Sequence, residues 1–114
     1  MLFEIDTGAS ISAISKEKLD QIGQLKYLLL IKTPRKFQSY QGSVMTPLGV
    51  LKVDAKHRHH SERLDLYVFG GRNKPIIGRD WIKTFDLIAV NMKPRESIYF
   101  ISSREKYVRK LLNA

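Results

Sequence analysis

The sequence predicts an all-β domain built from short strands, with only small helical segments. Apolar and polar residues alternate in several short runs, as they do in half-buried strands. Glycine, proline and serine separate these runs and supply turns. The 114 residues, of which 43% are hydrophobic, are enough for one core and too few for two.

The first strand is predicted over residues 2–5, a run of β-forming residues that ends at Asp6-Thr7-Gly8, where glycine permits a tight turn. Apolar residues alternate with serines over 11–14 and predict a second, half-buried strand. Ser15 is a suitable N-cap for a short helix over 16–19. The first strand therefore delivers Asp6 to a loop.

The next part of the chain predicts one strand and one hairpin. Residues 25–31 have strand character, which Thr33-Pro34 interrupts because proline cannot donate a ladder hydrogen bond. Residues 37–40 and 44–45 predict the two strands of a hairpin, with Gly42 in its turn.

Two longer strands are predicted over 51–55 and 64–68, where alternation is clearest, and 57–63 is expected to join them as a polar turn. Residues 75–78 predict a brief buried strand. Two helical turns are predicted over 79–85, and they place Trp81 in the core rather than at a recognition surface.

The chain changes character after a strand that is predicted over 87–90. Residues 98–101 can form one more strand, and apolar residues at helical spacing after Ser103 predict a helix. We therefore place the domain in residues 1–92 and a C-terminal tail or linker with a short helix in 93–114.

Composition narrows the classes of ligand. The chain has no cysteine, which excludes disulfides and thiolate metal sites. His57, His59 and His60 lie in the predicted polar turn with only Glu62 as a nearby acid, so we expect solvated side chains and no metal site.

The formal charge of +9 attracts polyanions, but the basic residues are spread along the chain without a zinc-knuckle, helix-turn-helix or RNP signature. We expect only non-specific charge contact with nucleic acid. The alternative, a basic nucleic-acid-binding module, predicts affinity that falls steeply with salt. No apolar run reaches the roughly 20 residues of a membrane span, and the start of the chain lacks a signal peptide's basic region. We therefore expect an intracellular protein with no membrane partner.

Two motifs lie about seventy residues apart in the chain. The first is Phe3-Glu4-Ile5-Asp6-Thr7-Gly8-Ala9-Ser10, and the second is Ile76-Ile77-Gly78-Arg79-Asp80-Trp81-Ile82. Together with residues 37–42 and 47–49, they resemble the retropepsin family, and most closely the proteases of gypsy-type LTR retrotransposons. The pair of motifs is more specific than an isolated Asp-Thr-Gly.

This resemblance implies a retropepsin-like closed barrel or sandwich of short strands with one short helix after Gly-Arg-Asp-Trp. It implies an aspartic endopeptidase that processes a polyprotein in the cytoplasm or in a virus-like particle, without metal or organic cofactor. The chain has a single Asp-Thr-Gly, so the resemblance implies a homodimer with one catalytic Asp6 from each subunit. Thr7 would bond across the dimer, and Gly8 would permit the turn.

The resemblance also assigns residues around a peptide or polyprotein substrate. The substrate-binding and flap positions are Ala9, Tyr40, Gln41, Gly42, Ser43, Val44 and Met45. The positions that support the active loop are Ile76, Ile77, Gly78 and Arg79. A flap is a mobile hairpin that covers the substrate, and the peptide would lie beneath it as an added strand.

The chemistry of such a site requires two aspartates. Like charges about 3 Å apart cannot both ionise easily, so the two carboxylates hold one proton between them. The ionised carboxylate takes a proton from the attacking water, and the protonated one stabilises charge on the scissile carbonyl. A bell-shaped pH dependence with an acidic to near-neutral optimum is expected.

The sequence departs from the family pattern at two places. Relatives have an N-terminal strand in the dimer interface, whereas five residues precede Asp6 here, so we expect that strand to be absent. Ser10 stands where many viral relatives carry an acidic partner for the motif arginine. Serine at this position is a feature of gypsy-type relatives. The alternative function is a catalytically silent dimerisation or peptide-binding domain derived from a retroelement protease.

Overall fold

The computed structural model describes residues 2–6, 8–25, 28–38, 42–87 and 95–101. Within them the chain is mostly β. The strands are β1 (Leu2–Ile5), β2 (Ala13–Ser15), β3 (Phe37–Gln38), β4 (Val44–Met45), β5 (Gly49–His57), β6 (His60–Phe69), β7 (Ile76–Ile77), β8 (Arg95–Ser97) and β9 (Tyr99–Ile101). The helices are α1 (Lys16–Leu19), a 3-10 turn (Gly23–Leu25) and α2 (Arg79–Thr84). The predicted all-β class is confirmed.

Seven strands form a mixed sheet in the order β8-β1-β7-β2-β6-β5-β9, and β3 and β4 form a separate two-stranded sheet. The β1–β7 and β2–β6 pairs are parallel, and the other pairs are antiparallel. The two end strands of the order, β8 and β9, flank the single residue Ile98. One stretch of chain therefore pairs with both β1 and β5.

The core lies between this sheet and α2. Trp81 is fully buried, and its ring centroid lies 5.7 Å from that of Phe3 and 6.2 Å from that of Phe85. Its indole N–H donates to the carbonyl oxygen of Asp65 at 2.9 Å, which satisfies the one polar atom of the side chain. The prediction that Trp81 is a core residue is confirmed.

Local signals predicted the small elements well. The Ser15 hydroxyl accepts a hydrogen bond from the Lys18 N–H at 3.1 Å, so Ser15 is the N-cap of α1 as expected. In the hairpin, Phe37 pairs with Met45, and Gly42 has a φ of 86°, which glycine adopts readily.

The predicted strand over residues 25–31 is wrong. A 3-10 turn occupies Gly23–Leu25, and in the described part of the remainder Ile31 makes only an isolated bridge to Val50. Leu25 is buried, and Leu28 and Leu30 pack partly against the core. These leucines are buried or partly buried although they do not lie in a strand. An apolar composition alone does not distinguish a buried irregular segment from a buried strand.

The polar turn predicted over 57–63 is also wrong in extent. β5 continues to His57 and β6 starts at His60, so the turn is Arg58 and His59, and Arg58 adopts a φ of 57°. His57 is buried, 5.8 Å from the Phe85 ring, rather than solvated. The His60 ring contacts Phe85 edge-on.

The described chain also reaches past residue 92, where the sequence analysis ends the domain. Ile98 is fully buried in the core, and β8 and β9 belong to the main sheet. Residues 95–101 therefore pack as part of the domain. The strand expected over 87–90 falls largely outside the described residues, and the helix expected after Ser103 falls wholly outside them. Within the described part, no helix has the length and apolarity to cross a membrane.

Candidate active site

Asp6 follows directly on β1 and is held at a tight turn. Its N–H donates to the Ile77 carbonyl oxygen at 2.9 Å, and its own carbonyl oxygen accepts from the Ala9 N–H at 3.1 Å. The Gly8 N–H donates to the Asp6 carboxylate at 3.0 Å. Asp6 is half-buried, and the backbone hydrogen bond from Gly8 orients its carboxylate within the turn.

β7 supports this turn from the neighbouring position in the sheet. β1 and β7 run parallel, with Ile5 opposite Ile77. Beyond β7, the Arg79 N–H donates to the Ala9 carbonyl oxygen at 2.8 Å. The second sequence motif therefore contacts the first through backbone groups at both ends of the Asp6 turn.

Gly78 makes the closest of these approaches. A Cβ atom at this position would lie 2.2 Å from the carbonyl oxygen of Ile11 and 2.8 Å from its nitrogen, distances that real side chains do not reach. The glycine is required by space, since the chain passes directly against the backbone that follows the Asp6 turn.

Ser12 and Asp80 form a polar network at the same crossing. The Ser12 hydroxyl donates to the Asp80 carboxylate at 2.8 Å and accepts from the Gly78 N–H at 3.0 Å. The Asp80 carboxylate also accepts from the Ser12 N–H at 3.3 Å and from the Trp81 N–H at 2.7 Å. Ser12 is fully buried. This network fixes the chain after the Asp6 turn to the start of α2.

Sequence reasoning missed both members of this pair. The sequence predicts Ser12 only as the polar half of an alternating strand and Asp80 only as part of a motif. The two residues are 68 positions apart. The available signal was a serine within an alternating run and an aspartate in the first turn of a helix, a position that favours a carboxylate.

A groove of about 600 Å³ opens beside Asp6. Its residues come from the Asp6 turn and the chain into β2, the β3–β4 hairpin, the end of β6, the β6–β7 connection, β7 and the start of α2. They are Asp6, Gly8, Ala9, Ser10, Ile11, Ala13, Ile14, Ser15, Phe37, Gln38, Met45, Phe69, Gly70, Asn73, Lys74, Ile76 and Arg79. Asp6 is the one carboxylate among these described lining residues, and most of the wall is apolar.

Several site residues predicted from the sequence meet in this groove. They are Asp6, Gly8, Ala9, Met45, Ile76 and Arg79. Ile77 and Gly78 are buried beneath it, in contact with the Asp6 turn and Ile11. Their predicted position under the active loop agrees with this placement, and the roles of all these residues stay predictions.

Other predicted residues lie elsewhere. Gly42, Ser43 and Val44 belong to the hairpin without lining the groove, and Val44 is 65% exposed. Thr7, Tyr40 and Gln41 fall outside the described residues, so their predicted roles stay predictions.

The groove also contains wall residues that sequence reasoning missed. Phe37 and Phe69 approach it from the hairpin and from β6, and their ring centroids are 6.1 Å apart. The sequence predicts Phe37 as an ordinary strand residue and places Phe69 just beyond a predicted strand, because an apolar residue at a strand end has the same pattern whether it faces a core or a ligand.

Across the described part of the chain, no three His, Asp or Glu side chains are grouped as metal ligands. His60 instead pairs with Glu62, with its Nε2 atom 2.8 Å from the carboxylate.

A solved structure, the EIAV protease complexed with the inhibitor HBY-793, is similar to this chain with a TM-score of 0.62. The two share 20% sequence identity, over 76% of this chain and 78% of that chain. No protein-family model and no curated protein sequence matches the chain. At this identity the likeness shows the fold, so the predicted retropepsin-like β fold is confirmed. The closed form of the barrel stays a prediction.

Proposed function

We propose that this chain is an aspartic endopeptidase that works as a homodimer, with one Asp6 carboxylate from each subunit. The observation that carries the proposal is the single carboxylate of Asp6 in an apolar groove, on a retropepsin-like fold. Water-mediated peptide hydrolysis by carboxylates needs a pair. Since the described groove supplies one, a second copy of the chain must supply the other.

The proposed reaction uses the two carboxylates in different protonation states. The ionised Asp6 removes a proton from a water molecule as the water attacks the scissile carbonyl carbon. The protonated Asp6 of the other subunit donates a hydrogen bond to the carbonyl oxygen as charge develops on it. The Gly8 N–H supports this arrangement by holding one carboxylate in the turn.

We propose that the groove binds an extended peptide. Ala9, Ile76 and Met45 offer apolar surface around Asp6, and the β3–β4 hairpin contributes Phe37 and Met45 to the wall. We propose that this hairpin, including Tyr40, Gln41, Gly42, Ser43 and Val44, is the flap, and that Thr7 bonds across the dimer. The substrate would be a polyprotein of a gypsy-type retroelement, in the cytoplasm or in a virus-like particle.

The experiment that tests this proposal combines cleavage with mass in solution. The purified chain and its Asp6→Asn variant are incubated with a broad peptide library between roughly pH 4 and 7, the range expected for a shared-proton dyad. We expect a dimer that cleaves peptides with a bell-shaped pH profile, and at least about a thousandfold lower activity in the Asp6→Asn variant.

A matched control is Asp20→Asn, which changes an exposed aspartate that is not part of the groove wall. This variant should cleave as the parent does. A dimer that binds peptides but cleaves none in either form would support the alternative, a silent peptide-binding domain, and a monomer that cleaves nothing would contradict the proposed dimer.

A further inference from the structure

Arg35 lies just before β3 and makes an unusual set of contacts for an exposed arginine. Its Nη1 atom donates to the hydroxyl oxygen of Tyr67 at 2.7 Å. Its guanidinium carbon also lies 5.0 Å from the ring centroid of Phe37 and 5.5 Å from that of Tyr67. The cation is therefore shared between a ring on the hairpin and a ring on the main sheet.

Tyr67 is a fixed anchor for these contacts. It lies near the end of β6, paired with Ala13 of β2 on one side and Val50 of β5 on the other, and is only 4% exposed. Its N–H donates to the Ser12 carbonyl oxygen at 3.1 Å. The anchor is thus joined to the same segment that the Ser12–Asp80 pair holds next to the Asp6 turn.

Phe37 carries the contact into the hairpin. Its ring meets Tyr67 edge-on at 5.2 Å and Phe69 at 6.1 Å. Phe37 and Phe69 both line the groove. A shift of the Phe37 ring would therefore move the hairpin and change the groove wall together.

The hairpin stands apart from the main sheet. In the described residues, β3 and β4 pair only with each other. Two-stranded hairpins are marginally stable alone, so this one depends on packing against the body. The upstream segment has its own attachment, where Ile31 and Val50 exchange two backbone hydrogen bonds of 2.9 and 2.8 Å. Between that attachment and the hairpin, Arg35 adds a polar contact with the body.

We infer that Arg35 is a positioning residue that holds the β3–β4 hairpin in an ordered position beside the groove through its combined contact with Tyr67 and Phe37. The inference rests on the proposed function for its kinetic consequence: the hairpin closes over a peptide, so the contact governs peptide affinity more than the chemical step. Its structural consequence, the order of the hairpin, is independent of catalysis.

The test uses Arg35→Met, which keeps an apolar side chain and removes the cation and the donor, and Tyr67→Phe, which removes only the hydroxyl. Hydrogen–deuterium exchange of the hairpin amides in residues 37–45 is the first readout. We expect exchange about tenfold faster in each variant, the scale of a lost hydrogen bond to a charged group, with unchanged exchange in β5 and β6. The double variant should exchange little faster than either single one.

Arg63→Met is the matched control. Arg63 lies on β6, as Tyr67 does, with its side chain 61% exposed and 3.9 Å from the Asp54 carboxylate, away from the hairpin contacts. Hairpin exchange in this variant should equal that of the parent. Equal exchange in the parent and Arg35→Met, or exchange accelerated equally in all strands, would overturn the inference.

Cleavage kinetics provide the second readout. Arg35→Met should raise KM about tenfold with kcat changed by less than about twofold, and Arg35→Lys should restore part of the affinity because it retains a cation over the rings. A loss confined to kcat would overturn the inference. If no variant and no parent cleaves peptide, the proposed function fails while the exchange measurement still decides the role of Arg35.

Discussion

Asp6 and the β3–β4 hairpin face the same groove, and the structure holds them by contrasting contacts. The Asp6 turn is joined to β7 and α2 by backbone hydrogen bonds, by the buried Ser12 hydroxyl and by the tight approach at Gly78. The hairpin is joined to the body by ring contacts and by Arg35 near the surface. The Asp6 turn is held by close backbone packing and hydrogen bonds, whereas the hairpin is held by contacts between side chains.

This difference matches what the proposed function needs from the groove. A reacting group must stay within a fraction of an ångström of its position, which calls for locked neighbours. A cover must admit and release a chain, which calls for low local stability. Substitutions beneath Asp6 should therefore lower global stability, and substitutions at the hairpin should mainly change local order.

The largest effect is expected for Gly78→Ala. The new Cβ would lie 2.2 Å from the Ile11 carbonyl oxygen, so the backbone of one segment must move. We expect the free energy of unfolding to fall by about 3 kcal/mol or more. Urea unfolding followed by tryptophan fluorescence measures this change, because Trp81 is buried three residues away.

Gly70→Ala is the control for that substitution. A Cβ atom placed on Gly70 would have no neighbouring atom within 4 Å, so the change should alter stability by less than about 1 kcal/mol. Equal losses for the two glycine variants would mean that the Gly78 contact does not hold the Asp6 turn in place.

The next effect is expected for the Ser12–Asp80 pair. Asp80→Ala removes the carboxylate that the buried Ser12 hydroxyl and the Trp81 N–H donate to, which costs about 2 kcal/mol of unfolding free energy. Ser12→Ala should cost about as much, and the double variant should cost at least about 1 kcal/mol less than the sum, because the two side chains interact directly.

Asp20→Ala is the control for the pair. Asp20 forms an exposed ion pair with Lys16 one turn away, and such pairs contribute about 0.5 kcal/mol or less. Additive losses for Ser12→Ala and Asp80→Ala in urea unfolding would contradict the network, since independent sites add.

Most of the local features that the sequence predicted have short-range signals, whereas the placement of Ile77 and Gly78 beneath the Asp6 turn was predicted from the family resemblance. The Asp6 turn has its glycine two positions away, the hairpin has Gly42, and Ser15 lies next to the helix that it caps. These signals work because turn conformations and caps depend on a few neighbouring residues.

The features that the sequence missed depend on tertiary contact. The Ser12–Asp80 pair joins segments 68 positions apart, and the sequence of neither segment indicates which residue the other will contribute. The contact of Arg35 with two rings likewise cannot be predicted without knowing that Tyr67 lies beside Phe37. The strand predicted over 25–31 failed for a related reason, since Leu25 is buried by tertiary packing from a 3-10 turn and not from a strand.

Apart from the two controls, the smallest change in global stability is expected for Phe37→Ala, and it tests the hairpin side of the comparison. Phe37 is half-buried and packs on Tyr67 and Phe69, so its loss should lower the free energy of unfolding by about 1 kcal/mol. The hairpin amides, however, should exchange much faster than in the parent. Phe3→Ala, which empties a fully buried site, should instead cost about 3 kcal/mol and affect all core strands. If Phe37→Ala lowered the free energy of unfolding as much as Phe3→Ala, the hairpin would belong to the cooperative core. The contrast between a firmly held Asp6 turn and a loosely held hairpin would then be wrong.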